Sequence, residues 1–387
     1  MDRQLARVLV AHNFYRWPGG EDAVVEEEIR LLRDHGHAVE LLARRSDDAD
    51  NAHPLRLARQ AVWSEVTSRE CTEIIGRFKP DIVHLHNTVP LISPSIVWAA
   101  RRAGVPVVQT LHNFRLLCPQ AMLLRDGAIC EACVGKLPWR SVAYGCYRGS
   151  RAQSAVMTAT SAVHGLLGTY RRRVARFIAL SEFARRKFMD GGLPAERIVV
   201  KCNSVDLPAP EPTDRSGGLF VGRLSPEKGT RILAEAAAAA GASLKVVGDG
   251  PEEPLMRSAR SLTLLGARPP AEVYGHMRRA LFLVMPSLWY EGFPLVLAEA
   301  YACGLPVIAS RLGALAEFVV QDQTGLLVEP GSVGALGEAV RWAIDHPERM
   351  LEMGREARSC YEAHFTGEQN YRALSHIYAG ARGAGEL

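Results

Sequence analysis

The feature that most constrains this chain is an alternation of short apolar strands with amphipathic helices that breaks off once and then restarts. Residues 6–11 predict a strand, and 21–35 a helix ended by Gly36, which sits where a C-cap belongs. Further strands are predicted at 39–43, 81–85, 105–111, 177–180 and 198–201, with helical stretches between them. Such alternation argues for a parallel sheet covered by helices on both faces. The segment 207–218 carries Pro208, Pro210 and Pro212, then Gly217 and Gly218, and almost no core residues, so it reads as a linker. Afterwards strands are expected at 219–221, 244–247, 281–285 and 307–309, a helix at 230–240, and mostly helix from 333 to 378. The expected fold class is α/β, with two tandem, doubly wound Rossmann-like domains facing a cleft. They would span 1–206 and 219–387, joined by the linker 207–218. Ligands of open α/β sheets bind beyond the C-terminal strand ends, so the loops that follow strands are where chemistry is to be sought.

Composition narrows the class further. With 48% hydrophobic and 23% charged residues, the chain is neither disordered nor fibrous. Its N-terminal apolar stretch, Val8 to Ala11, is too short for a signal-peptide core, and no run reaches the length of a spanning helix. A cytoplasmic protein is therefore expected, with room for a peripheral place on the inner face of the membrane. The net charge of +4 is modest, but its distribution is uneven. Between Ala132 and Met189, eleven basic residues from Lys136 to Lys187 face one acid, Glu182. A local field of this kind attracts nucleic acid, anionic lipid or phosphorylated substrates, unless it is a plain solvated face. No nucleic-acid partner is expected.

The most informative loop runs from Pro286 to Ala300. It follows a buried strand and opens a helix near Pro294, whose free N–H groups, with Gly292 beside them, form an anion site. Glu291 precedes the helix and Glu299 lies inside it, on an otherwise apolar stretch. An acid there needs a partner, and sugar hydroxyls would serve.

Glu291 and Glu299, with seven residues between them in the context E-G-F-P-L-V-L-A-E-A, make an E-x7-E motif. Together with Cys303-Gly304-Leu305-Pro306-Val307-Ile308-Ala309, and with Asp322 and Thr324-Gly325-Leu326-Leu327-Val328 downstream, it resembles the family-4 retaining glycosyltransferases of the GT-B fold. The resemblance covers most of the chain. It implies a first domain that binds the acceptor and a second that binds a nucleotide-sugar donor, a UDP- or GDP-sugar. In Val221-Gly222-Arg223-Leu224-Ser225-Pro226-Glu227-Lys228-Gly229, it assigns Arg223 and Lys228 to the donor diphosphate. Two fixed cations would stabilise the charge that a leaving nucleoside diphosphate gains. Gly292, Phe293, Pro294, Leu295 and Glu299 join them on the donor side. Gly19 and Gly20, which open the first helix, would approach the diphosphate through their backbone, a plain helix-start turn being the other reading. His112, at the end of strand 105–111, is implied to contact the transferred sugar, and Glu291 to position it. His86 is a candidate for the acceptor side, or else a satisfied strand-end residue. The family mechanism is metal-independent, with front-face attack and retention, and no D-x-D carboxylate pair stands in a convincing loop. The expected function is hexosyl-type transfer to a glycan or lipid-linked acceptor hydroxyl in bacterial surface polysaccharide or glycolipid synthesis. A sugar-nucleotide 2-epimerase or a non-catalytic nucleotide-sugar-binding protein are the alternatives.

One feature stands outside that reading. Cys118, Cys130, Cys133 and Cys146 are spaced C-x11-C-x2-C-x12-C within an insertion at 113–150. The C-x2-C step is an element of zinc knuckles, and four thiolates complete a tetrahedral site, so a structural zinc is a candidate cofactor. Free thiols in an ordinary loop, or disulfides, remain alternatives at this point.

Overall fold

The structure is a computed structural model that describes all residues except 1–5, Pro18, 50–52, 210–212 and 384–387, with the side chain of Ala49 also outside the description. Part of the predicted linker, Pro210 to Pro212, lies outside the described residues. The chain divides into two compact units. One comprises Met1–Leu123, Cys130–Cys202 and Asn370–Leu387, and the other Leu124–Ile129 and Asn203–Gln369.

In the first unit, six parallel strands form one sheet: β1 (Arg7–Phe14), β2 (Ala38–Arg45), β3 (Ile82–Leu85), β4 (Val107–Leu111), β7 (Arg176–Ala179) and β8 (Ile198–Val200). Their spatial order is β2-β1-β3-β4-β7-β8. β3 and β4 are buried along their whole length, as strands covered on both faces should be. Between β4 and β7 lies a two-stranded hairpin, β5 (Leu124–Arg125) with β6 (Ala128–Ile129). It turns on Asp126 and Gly127, both at positive φ, the Asp-Gly signature of a tight hairpin. Val8 and Val10 of β1 pack with Val25, Ile29 and Leu32 of the helix Gly20–Asp34. Tyr371, Leu374, Ile377 and Tyr378 of the helix Gly367–Gly383 join the same core. The sequence reading assigns these last residues to the second domain, but the structure places them in the first unit. Their apolar face fills that core, and Tyr371 and Tyr378 bond to His37 and His84 at 2.9 and 2.8 Å.

The second unit repeats the plan with β9 (Gly218–Val221), β10 (Leu244–Val247), β11 (Leu262–Gly266), β12 (Phe282–Met285), β13 (Val307–Ser310) and β14 (Gly325–Val328), in the order β11-β10-β9-β12-β13-β14. All its pairings are parallel. The helix Thr230–Ala240 presents Leu233, Ala236 and Ala237 to Phe220, Phe282 and Val284 of the sheet. Two doubly wound α/β sheets are therefore present. In each, the strand order reverses beside the first strand, between β1 and β3 in one unit and between β9 and β12 in the other. These switch points are where α/β sheets open a crevice for ligands.

Candidate functional site

In the second unit, the loops after β9 and β12 flank the switch point. The turn Pro226–Lys228 is followed by Gly229 at φ +71°, and a Cβ there would lie 2.0 Å from the Pro286 carbonyl oxygen. Only glycine lets the two loops approach so closely. The approach delivers Lys228 to Glu291. Its Nζ donates to Glu291 Oε1 at 2.7 Å, and the same oxygen accepts from Ser287 Oγ at 2.9 Å and Trp289 Nε1 at 3.0 Å. The Lys228 ammonium also lies 5.5 Å from the Trp289 ring centre. Gly248, after β10, is packed as tightly, since a Cβ there would lie 1.9 Å from the Gly222 oxygen.

Arg223 is largely exposed and pairs with Glu227. Burial alone would raise the Glu227 carboxyl, but hydrogen bonds from Ser225 and Arg223 outweigh it and hold the group low. The helix Leu295–Ala302 starts one residue later than expected, with Pro294 as N-cap. Glu299, inside it, accepts from Tyr274 Oη at 3.3 Å, and burial raises its carboxyl above the usual range. Phe293 departs from the donor-side expectation in one respect. Its ring is buried edge-on against Phe318 and Phe365, at 5.0 and 5.3 Å between centres, so its backbone alone is left to meet a ligand. Thus Lys228 and Glu291 meet directly, while Arg223 and Glu299 are engaged with other partners.

In the first unit, buried histidines gather at the switch point. His12 of β1 bonds through Nε2 to Asp22 Oδ1 at 2.8 Å. His86, just past β3, and His112, just past β4, share a 2.8 Å hydrogen bond between His86 Nδ1 and His112 Nε2. His84 has both nitrogens committed, to Tyr378 Oη and Thr110 Oγ1, each at 2.8 Å. Burial lowers His84 to about 4. It also holds His86 and His112 well below the ordinary imidazole range, with the neighbouring histidines and Lys201 adding to the effect. These are neutral imidazoles at pH 7. Behind them, Lys201 forms a buried ion pair with Glu28, and His86 Nε2 lies 3.8 Å from Glu28 Oε2.

Gly19 is the N-cap of the first helix, and its N–H donates to Asp22 Oδ2 at 3.4 Å. Gly20 begins the helix. Glu21, next in line, accepts from Tyr15 Oη at 2.9 Å and Asn113 Nδ2 at 3.2 Å, and burial pushes its carboxyl up to about 7. Glu21, His86, His112, Asn113 and Arg115 line a cavity of about 520 Å³, a size that suits a small ligand. Leu137, Leu166 and Leu193, with Lys136 and Arg171, line it too. The cavity lies within the first unit. Sequence reasoning missed His12, Glu28 and Lys201, although His12 and Lys201 each sit at a strand's C-terminal end, the position that singled out His112.

None of the four clustered cysteines is in a disulfide among the described residues. Burial raises the Cys133 thiol, and Cys118, Cys130 and Cys146 raise it further, so all four are electrostatic neighbours. Around them Cys130 N–H donates to Leu123 O, Val134 N–H to Glu131 O and Lys136 N–H to Cys133 O, closing tight turns. A different trio, Glu28, His84 and His86, has potential ligand atoms within 4.8 Å of one another. The hydrogen bonds of His84 and the Lys201 ammonium on Glu28 already satisfy most of that cluster.

Sequence profiles for glycosyltransferase family 4 and for glycosyl transferases group 1 match residues 18–208 and 216–346. An uncharacterized glycosyltransferase of Methanocaldococcus jannaschii is 34% identical over 43% of this chain and 48% of its own length. The chain thus matches about half the length of that relative. A phosphatidyl-myo-inositol mannosyltransferase of Mycobacterium leprae is 27% identical over 93% of this chain and 94% of its own. Among solved structures, HepE of Anabaena in complex with UDP superimposes with a TM-score of 0.67 at 18% identity, covering 96% of this chain and 100% of that one. Sucrose-phosphate synthase of Thermosynechococcus elongatus gives 0.69 at 19%, covering 97% and 98%. Both likenesses establish the fold, two parallel-sheet α/β domains of the GT-B type.

Proposed function

The chain belongs to the group 1, family 4 glycosyltransferases, and from that premise we propose that it moves a sugar from a UDP- or GDP-linked donor to an acceptor hydroxyl with retention of configuration. The observation that carries this reading is the contact of Lys228 with Glu291 at the switch point of the second unit. A cation and a carboxylate held together there suit the two ends of a sugar diphosphate, one charged and one rich in hydroxyls. Arg223 and Lys228 stabilise the departing diphosphate, helped by the backbone of Gly292, Phe293, Pro294 and Leu295 at the helix start. Gly19 and Gly20 reach it through their backbone. Glu299 takes ribose hydroxyls, and Glu291 takes hydroxyls of the sugar. His112, neutral and oriented by His86, contacts the sugar near the reacting carbon. The departing phosphate oxygen accepts the acceptor's proton on the face it leaves, so Glu291 positions the sugar and is not the nucleophile.

The chemistry uses these fixed cations in place of a divalent ion, and transfer should survive chelation. Product NMR tests the stereochemistry, and an inverted anomer would overturn it. Glu291→Ala and Arg223→Ala should each lower kcat by about 10²-fold or more, the range seen when one preorganised charge-stabilising group is lost; unchanged transfer would overturn the assignment.

We extend the proposal to the acceptor, a bacterial surface polysaccharide or glycolipid precursor met at the inner face of the cell membrane. The M. leprae relative carries a phosphatidyl-inositol substrate in its name, which supports a lipid-linked acceptor here. Among the described residues no helix is long and apolar enough to cross a membrane, so contact would be peripheral. The thiols of Cys118, Cys130, Cys133 and Cys146 are proposed to hold a structural zinc that orders the 113–150 insertion. Metal analysis of the purified protein tests this, and substoichiometric zinc with four readily titrated thiols would refute it.

A further inference from the structure

The cavity of the first unit opens through a rim that is both apolar and cationic. Leu137 and Leu166 line the cavity and are also 54% and 90% exposed. Next to them, Trp139 and Tyr144 are each 60% exposed and Leu167 is 41% exposed. These five side chains come from two segments that are packed together. The short helix Arg140–Tyr144 lies on the helix Arg151–Leu166, tied by Ser141 Oγ to Thr158 Oγ1 at 3.0 Å and by Thr158 Oγ1 to the Pro138 carbonyl at 3.1 Å. A leucine left nine-tenths exposed at a helix end adds nothing to the packing of the fold. Several exposed apolar side chains along two packed segments, two of them lining the cavity, mark a surface that is covered by something else.

Charge identifies what covers it. Lys136, Arg140, Arg148, Arg151, Arg171 and Arg172 lie in or beside the same segments, and residues 132–181 contain no Asp or Glu. Exposed Trp and Tyr among aliphatic side chains, ringed by Arg and Lys, is the composition that sits at the boundary between lipid headgroups and acyl chains. The cavity's own lining mixes the same two characters, with Leu137, Leu166 and Leu193 beside Lys136, Arg171, Arg115, Asn113, Glu21 and His112. The buried Arg115 Nε–H makes no hydrogen bond among the described residues.

We infer that this rim dips into an anionic bilayer surface and that the cavity takes an amphiphile from it. The lipid's phosphate would meet Arg115, Lys136 and Arg171, its polar head would point to His112, and its acyl or prenyl chain would remain along Leu137 and Leu166. This rests on reading the first unit as the acceptor side and narrows the acceptor to a lipid phosphate. The residues that insert are apolar and few, so the interaction is more than the attraction of a basic surface.

Binding experiments separate this inference from the proposed transfer, because they need neither donor nor turnover. In flotation assays, the full-length protein should bind vesicles of phosphatidylcholine with phosphatidylglycerol and bind phosphatidylcholine alone weakly. Leu137→Asp combined with Leu166→Asp should cut binding to the anionic vesicles at least about tenfold, as removing the inserting apolar face of an interfacial segment does. The melting temperature and UDP binding should be retained. Dihexanoyl phosphatidic acid, monomeric in solution, should bind at least about tenfold more tightly than inorganic phosphate, as expected when apolar contact adds to phosphate recognition. Arg115→Gln should weaken it. No vesicle binding by the wild type, equal binding by the double variant, or equal affinity for phosphatidic acid and phosphate would each overturn the inference. The first of these with full transfer to a lipid-free acceptor would do so while leaving the proposed function intact.

Discussion

Replacing Lys201 by Met isolates the buried ion pair that backs the histidine cluster. Lys201 and Glu28 have side chains 1% and 4% exposed, and the second carboxylate oxygen of Glu28 has no hydrogen-bond partner among the described residues. Lys201 Nζ also donates to Asn370 Oδ1 at 3.3 Å, which ties the end of β8 to the C-terminal helix. Met fills nearly the same volume but leaves the Glu28 carboxylate buried without its cation. Breaking a buried pair from one side costs about 3–5 kcal/mol, or roughly 6–20 °C in melting temperature for a domain of this size. The double variant Glu28→Gln, Lys201→Met removes both charges and should regain most of that loss. Thermal unfolding of the wild type, both single variants and the double variant gives the coupling energy directly. A Lys201→Met protein within about 1 kcal/mol of wild type, or a double variant no more stable than the single one, would refute the reasoning.

Gly229→Ala should separate Lys228 from Glu291, because the new Cβ meets the Pro286 oxygen at 2.0 Å and the positive φ adds about 1–2 kcal/mol. Loss of UDP affinity with the fold retained by circular dichroism is the expected result, and unchanged affinity would contradict it. His84 is held near 4 in the folded chain against 6.5 when free, so below pH 6.5 the unfolded chain takes a proton that the folded one refuses. Stability should therefore fall as pH drops from 6.5 to about 4, by about 3 kcal/mol from this residue alone, and a flat urea midpoint across that window would count against it. Glu21 is raised to about 7 from 4.5, so folding should lose stability as pH rises through that interval and then level off. Glu21→Gln should flatten that part of the profile, and should also remove an activity inflection near 7 if the cavity admits the acceptor.

The strands that carry the switch points were legible where they hold continuous apolar runs, as in Val8–Ala11 of β1 and in β12. What escaped were short or half-exposed elements. β11, Leu262–Gly266, has no fully buried residue, so its pattern does not stand out from a loop. The hairpin β5–β6 is only two residues per strand and is specified by its Asp-Gly turn. The helix Gly367–Gly383 was legible as a helix, but its place was not. The tyrosines that fix it to the first unit meet His37 and His84 more than 290 residues earlier, and no local pattern encodes such a pairing. The same limit applied to the site. Glu291 was visible from its motif, but its contact with Lys228 depends on Gly229 and Pro286 meeting in space. His12, Glu28 and Lys201 gather around His86 only because β1, β3 and β8 lie in one sheet and the helix Gly20–Asp34 packs on it.

The two switch points use opposite electrostatic strategies, a difference that the proposed function would account for. The second unit keeps fixed charges at its loops: Lys228 on Glu291, and Arg223 on Glu227 at the surface. A diphosphate brings its own negative charge, so a cation already held by a neighbouring carboxylate moves to the stronger anion at little reorganisation cost. The first unit suppresses charge instead. His84, His86 and His112 are kept neutral by burial, and Lys201 is cancelled by Glu28. A neutral imidazole both donates and accepts hydrogen bonds, as a hydroxyl requires, whereas an imidazolium at that position would only donate and would repel a developing oxocarbenium centre. The Lys201–Glu28 pair then has a clear electrostatic purpose. It supplies rigid support behind His86 without placing net charge there, which a lone buried lysine or glutamate could not do.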